Sequence, residues 1–207
     1  MLDKAVAVLG AVEASPAALA ELVARTGLSR PTAHRVAVAL VAHGLLRRDD
    51  DGRFCLGLRL IGLGHAAALA VPVWAAARPA LVQLHEQTTE SVQLYVRDGD
   101  SRVCVESIES SRELRTMVPV GARLPLRRGS AGRVLAGAAG AWVASVGERE
   151  DGVASVSAPV RGAGGQVVAA VSLSGPIQRL SEDPGARFGA VVAAAAAQVE
   201  AATQPSR

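Results

Sequence analysis

Aromatic side chains are scarce in this 207-residue sequence: two Trp, two Phe and one Tyr, or 2%. Any core must therefore be built from Val, Leu and Ala, and apolar residues make up 50% of the chain. Cysteine is equally sparse. Cys55 and Cys104 stand far apart with no Cys-x-x-Cys pattern, which excludes a disulfide framework and a zinc site and points to a reducing compartment. The four histidines are scattered, so no metal site is expected. No uncharged apolar run is long enough for a membrane helix; the Ala-rich stretch 190–202 is too short and too weakly apolar. The opening MLDKAVAVLG lacks the cationic start, apolar core and cleavage site of a secretion signal. These absences together predict a soluble cytoplasmic protein with no membrane partner. Enzyme signatures are missing as well. Gly129-Ser130-Ala131-Gly132 is not Gly-x-Ser-x-Gly, and Gly57, Gly62 and Gly64 do not form Gly-x-Gly-x-x-Gly after a strand. The expectation is a non-enzyme with no cofactor.

Acidic residues are absent from positions 22–48, where five arginines fall: Arg25, Arg30, Arg35, Arg47 and Arg48. The net charge is only +3, so the basicity is regional rather than that of a polybasic tail. Within this region the chain reads as a helix-turn-helix. An apolar-periodic run from about Ala17 to Thr26 meets the turn Gly27-Leu28-Ser29, and a second run extends from Arg30 to His43. Ser29 is placed to cap that second helix with its hydroxyl, Pro31 is tolerated in its first turn, and Gly44 stands at its capping end. An earlier helix over 2–13 has Leu2, Ala5, Val6, Leu9 and Val12 on one face. Leu45-Leu46 and Phe54-Cys55-Leu56 flank the turn Asp49-Asp50-Asp51-Gly52, a hairpin signal. Together these elements make a winged helix-turn-helix.

Residues 58–71 read as a linker helix weakened by Gly62 and Gly64. Pro72 opens a helix to about Thr88 with Val73, Ala77, Ala80, Leu81 and Leu84 on one face. The period then changes from about 3.6 to about 2. Two strands surround Arg97–Asp100, two more span 153–160 and 166–174, and a last helix covers 184–202. The fold class is α+β: an N-terminal winged helix-turn-helix over 1–57, the 58–71 linker, and a C-terminal antiparallel-sheet domain over 72–207.

This order of elements resembles the IclR family of bacterial transcription regulators. The likeness rests on Leu2–Ala5, Arg25–Arg35, Phe54–Gly57, Gly129–Ala136, Gly152–Val160 and Val171–Pro176. The phrases SAPVRG and VSLSGPI are closest to actinobacterial regulators of amino-acid metabolism of the NdgR/AreB type. The resemblance implies a GAF-like C-terminal effector domain, a double-stranded operator DNA partner and a small-molecule effector. One departure stands out. Family members carry some tens of residues between the Gly-Ser-Ala-Gly helix and the late strands, where this chain has only Gly137–Gly147. Either part of the pocket wall is lost or a mobile stretch is missing from view; the reading favours the second.

The first turn of the second motif helix presents Ser29, Arg30, Thr32 and Ala33, with Arg35 one turn on. An arginine fork matches guanine O6/N7 or a phosphate, and Thr offers a hydroxyl and a methyl. The family likeness puts Thr32 and Arg35 near DNA. Arg47, Arg48 and Arg53 flank the wing and suit phosphates, which position without specifying sequence. The acidic tip argues against deep insertion of the wing. One helix reads few bases, so a homodimer or dimer of dimers is expected.

Ser172 and Ser174 share one face of an apolar strand, as do Ser155 and Ser157 on the strand before, and paired hydroxyls suit a small polar metabolite such as an amino acid. The same hydroxyls could instead simply satisfy backbone groups. The resemblance places the pocket over these strands and the helix start Gly129-Ser130-Ala131, whose free N–H groups favour an anion. Met117 and Val118 would form an apolar wall, and Glu148 or Glu150 would recognise a ligand amine. The competing reading is a metabolite-sensing or protein-interaction module whose winged helix does not read DNA.

Overall fold

The computed structural model describes residues 1–203. The chain divides into two compact units, Met1–Ala67 and a second beginning at Ala68. The first contains α1 (Leu2–Ala11), α2 (Leu19–Thr26), α3 (Arg30–Ala42), β1 (Leu46–Arg48) and β2 (Phe54–Leu56), followed by α4 (Arg59–Leu69). Val8, Val12, Leu22, Leu40, Leu46 and Phe54 form its core. In α1 the buried stripe is Ala5, Val8, Leu9 and Val12, whereas Leu2 and Val6 stay exposed. Ala5, Leu9 and Val12 of the expected face are thus turned inward, and Val8 takes the place there of Leu2 and Val6. Several apolar stripes fit this short helix, and only its packing on α2 and α3 selects one. Ala17 is not helical. It pairs with Phe54 through two backbone hydrogen bonds of 2.9 and 2.8 Å, which ties the wing to the loop before α2.

The turn between α2 and α3 follows from its residues. Gly27 adopts φ +67°, and Gly44 ends α3 at φ +71°, conformations that glycine reaches without a Cβ penalty. Ser29 occupies the N-cap of α3 but makes no side-chain cap; its hydroxyl donates to Thr32 Oγ1 at 3.0 Å. Pro31 supplies no N–H in that first turn, which removes one of the expected donors. In the wing, Leu46 faces Leu56 and Arg48 faces Phe54. The Asp49 carboxylate accepts N–H groups of Asp51 (3.2 Å) and Arg53 (2.8 Å), so it builds the turn rather than presenting charge.

The second unit begins with α5 (Pro72–Thr88). It continues through β3 (Ser91–Asp98), β4 (Ser101–Ile108), β5 (Arg123–Pro125), α6 (Ser130–Leu135) and β6 (Val143–Val146). β7 (Val153–Arg161), β8 (Val167–Pro176), α7 (Ile177–Leu180) and α8 (Pro184–Thr203) complete it. Six antiparallel strands are ordered β5-β4-β3-β8-β7-β6. The short β5, β6 and α7 carry too few residues for a readable period. One face of the sheet packs on α5 and α8. All five residues expected on the inner face of α5 are buried there, against Val92, Leu94, Val156 and Leu173. Ser172 and Ser174 point to the other face, toward α6, as strand alternation requires.

The segment Gly137–Gly147 is continuous. Gly137 (φ +96°) and Gly140 (φ +119°) turn the chain from α6 directly into β6. Relative to the family pattern the chain has few residues here. Trp142, beside the turn, lies on Gly185 and Gly189 of α8, and a Cβ at either would overlap its indole. Gly189→Ala must displace that ring or shift the helix. Overpacking of this kind costs about 1–3 kcal/mol. The expected result is a lower urea midpoint and, in a Trp74→Phe background, red-shifted emission from Trp142. Unchanged emission would show that the ring does not rest on the helix.

Candidate nucleic-acid interface and effector pocket

Five arginines were counted over 22–48, and the structure sorts them by what they touch. Arg25 donates to Ala11 O (2.7 Å) and Ser15 O (3.2 Å), clamping the loop after α1. Arg48 donates to Gly52 O (2.7 Å) and lies over the Phe54 ring at 4.2 Å. Arg30, Arg35 and Arg47 are exposed and, among the described residues, carry no side-chain hydrogen bond or ion pair. Arg53, outside that run, bonds Pro16 O and pairs with Glu21 at 2.9 Å. Glu21 also accepts the Ala18 N–H at 2.6 Å, and that bond, with Arg53 and Arg25 nearby, holds its carboxyl below the usual range. Arg53 thus fastens the wing to α2. Ala33 is fully buried, so it packs the motif and cannot reach a base. Ser29 is exposed and Thr32 half-buried beside it.

In the second unit, α6, β7 and β8 bring their serines together. Ser130 Oγ lies 2.7 Å from both Ser155 Oγ and Ser157 Oγ, and Ser157 Oγ donates to Ser172 Oγ at 2.9 Å. Ser174 Oγ donates to Gln93 Oε1 at 3.0 Å, leaving the buried Gln93 Nε2 without a protein partner. Beside this network is a cavity of about 20 Å³. Tyr95, Arg102, Gly129, Ser130, Ala131, Arg149, Ser155, Ser172 and Ser174 line it. Burial raises the Tyr95 phenol above its ordinary pKa and pushes the neighbouring Cys104 thiol up to about 12, so both stay protonated as packing groups.

Three expected pocket features are corrected. Met117 is 61% exposed and Val118 packs with Tyr95 and Cys104 in the core, so neither lines the cavity. Glu148 does not face it as an amine receptor. Its Oε2 accepts the Gly129 N–H at 3.2 Å and its Oε1 pairs with Arg133 at 2.8 Å. The chain's own carboxylate thus occupies the start of α6, a helix of only six residues, where an anionic ligand was expected. Glu150 is largely exposed and lies 3.7 Å from Arg149. Tyr95, Arg102 and Arg149 are the pocket residues that sequence reasoning missed. Arg102 alternates with Val103 on β4, and nothing local says that the arginine faces inward.

The family model described as the IclR helix-turn-helix domain matches residues 1–50, and that of the bacterial transcriptional regulator IclR C-terminal matches 65–141 and 137–201. The chain belongs to the IclR family. Its C-terminal match falls into two pieces that meet at the shortened segment. The HTH-type transcriptional regulator KipR of Bacillus subtilis is 35% identical over 115 residues, covering 56% of this chain and 46% of KipR. The chain thus spans about half the length of that relative. The transcriptional repressor IclR of Escherichia coli is 24% identical over 222 residues, covering 88% of this chain and 81% of that repressor. About 40 positions of that alignment have no residue of this chain opposite them. In fold, this IclR-family member is similar to an IclR homolog from Microbacterium hydrocarbonoxydans. That structure was solved with 4-hydroxybenzoate: TM-score 0.83, 24% identity, 99% of each chain covered. Among the described residues no single helix is long and apolar enough to cross a membrane.

Proposed function

We propose that this IclR-family chain is a cytoplasmic regulator that binds its own operator through residues 1–57. Residues 58–71 link this part to a metabolite-sensing domain over 72–207. The observation that carries the reading is the set of exposed, unengaged guanidiniums of Arg30 and Arg35 on α3 and Arg47 on the wing. Ser29, Thr32, Arg30 and Arg35 face base edges, and Arg47 and Arg48 face phosphates. Arg53 and Ala33 act within the protein. A single helix reads few bases, so the active species is a homodimer or a dimer of dimers, its recognition helices about 34 Å apart or a multiple of that. The kinship is with regulators of amino-acid metabolism of the NdgR/AreB type. The effector sits at Gly129, Ser130, Ala131, Ser155, Ser172 and Ser174, and its binding changes operator affinity.

Binding of the protein to the DNA upstream of its own gene is the test. Each phosphate contact lowers affinity as salt rises, so log affinity should fall steeply and linearly with log salt. Specific DNA should also survive competition by unrelated DNA. Affinity that is the same for both DNAs, or indifferent to salt, would reject direct operator reading in favour of a protein-docking role for the winged helix.

A further inference from the structure

Among the described residues, the only non-glycine positions with positive φ are Thr89 (+59°) and Ser181 (+81°). Thr89 follows the last residue of α5, and Ser181 follows the last residue of α7. Positive φ is a true outlier for a β-branched threonine. Ser181, at ψ +162°, lies in a region that is almost exclusively glycine's. Such backbone persists only where its surroundings hold it, and it gathers at binding sites. Both strained residues end helices that wall one cavity of the second unit: Gln87 and Thr88 come from α5, Gln178 and Arg179 from α7. Its volume is about 400 Å³, the scale of a small-molecule site. Arg112, from the loop after β4, and Arg187, from α8, stand on the same wall.

Three guanidiniums meet one carboxylate here. Glu90 is engaged by Arg179 through both oxygens, at 2.6 and 2.8 Å, so that pair is neutral. Arg112 and Arg187 are exposed and have no acid partner among the described residues. Arg112 Nη2 donates to Thr89 Oγ1 at 3.0 Å, and Arg187 Nη1 donates to the Arg179 carbonyl at 2.6 Å. Each guanidinium carries five N–H donors, so these bonds tether the two cations and leave most of their donors free. Satisfying the end of α7 accounts for one N–H of Arg187. It does not account for Arg112, which is held by the hydroxyl of the strained threonine. The C-terminal end of α5 brings about half a negative charge, and the start of α8 at Pro184 about half a positive one, so the helix ends offset each other. Asp183, at that start, caps the Ala186 N–H at 3.0 Å. Two positive charges therefore remain on the wall. Gln87 and Gln178 add amide donors, and Phe188, whose ring centroid lies 4.8 Å from the Arg187 guanidinium, adds an apolar face.

We propose that this cavity is a second ligand site, separate from the serine-lined one, and that it takes a phosphate dianion, free or as a monoester. Planar guanidinium forks match phosphate oxygens two at a time. Two unneutralised cations balance a dianion, whereas a single carboxylate would leave one of them unpaired. The cavity is larger than a phosphate, and the surplus lies along Phe188, where the substituent of a monoester would rest. The site requires no DNA and no occupant of the serine-lined cavity, so it stands apart from the operator-binding reading.

The test is calorimetry of the full chain with inorganic phosphate, phenyl phosphate and phenylacetate at matched ionic strength and about pH 8, where the phosphates are dianions. Both phosphates should bind saturably, and phenylacetate about tenfold more weakly or worse. Phenyl phosphate binding tighter than inorganic phosphate assigns the site to a monoester; equal affinity assigns it to free phosphate. Arg112→Gln and Arg187→Gln leave the Glu90–Arg179 pair in place. Each should weaken phosphate binding about tenfold or more, the loss of one charge-assisted contact. Arg149→Gln, in the serine-lined cavity, should leave it unchanged. Circular dichroism melts check that the variants fold, and if one does not, the other carries the result. Absence of saturable phosphate binding overturns the proposal. So does phosphate affinity that is unchanged in the Arg112 and Arg187 variants, or phenylacetate that binds as tightly as phenyl phosphate. Binding lost in Arg149→Gln instead would put the anion in the serine-lined cavity and overturn the proposal as well.

Discussion

Replacing Arg30 and Arg35 together by alanine is expected to abolish specific operator binding while leaving the fold intact. Both side chains are exposed and touch nothing else in the described residues, so their removal leaves no buried group unpaired. A well-placed arginine–guanine contact is worth about 1–3 kcal/mol of base discrimination. Losing two such contacts lowers affinity for the cognate site by about thirtyfold to twenty-thousandfold. The phosphate contacts proposed for Arg47 and Arg48 would remain, so weak, salt-sensitive binding to any DNA should persist. Arg53→Ala is the contrasting variant. Its guanidinium is held by Glu21 and Pro16 O, so its loss should loosen the wing and lower the unfolding temperature of the winged domain. The salt slope of DNA binding should stay the same. Electrophoretic shifts at several salt concentrations, with circular dichroism melts, separate the two outcomes. Full-strength cognate binding by Arg30→Ala/Arg35→Ala would overturn the assignment of α3 as the reading helix.

Arg179→Ala is expected to be the most destabilising single change outside the hydrophobic core. Glu90 stands at the entrance to β3 with its side chain 4% exposed. Arg179, on α7, holds it with a two-pronged pair, Nε to Oε1 at 2.6 Å and Nη2 to Oε2 at 2.8 Å. That pairing raises the Arg179 pKa above its ordinary value. Removing the arginine strands a carboxylate in the interior, and breaking a buried pair from one side costs about 3–5 kcal/mol. The fold of the second unit depends on it directly, because Glu90 also fills the space beside Gly175 of β8. Removing both charges, as Glu90→Leu/Arg179→Leu, should cost much less than Arg179→Ala alone. Urea denaturation of the three proteins measures the difference. Equal losses in the single and double variants would mean that the pair contributes no more than surface ions do.

Much of this architecture is legible without coordinates. The helices of the winged unit, the Gly27 and Gly44 turn positions, the hairpin at Asp49–Gly52, the inner face of α5 and the facing of Ser172 and Ser174 all follow from the chain. They depend on groups within a few residues of one another: side-chain period, glycine at positive φ, an aspartate that bonds its own turn. Such relations survive whatever the rest of the molecule does. The readings that changed are of another kind. Which stripe of α1 is buried depends on α2 and α3. Whether Arg53 is free depends on Glu21, 32 residues away. Whether Glu148 faces a ligand depends on where α6 begins. Arg102 becomes a pocket residue only because β4, the loop before α6 and β8 converge, and Glu90 meets Arg179 across 89 residues. A local pattern says that an arginine is present and which period it obeys. Sheet order and register decide what lies opposite it, and so whether its charge is engaged, exposed or buried.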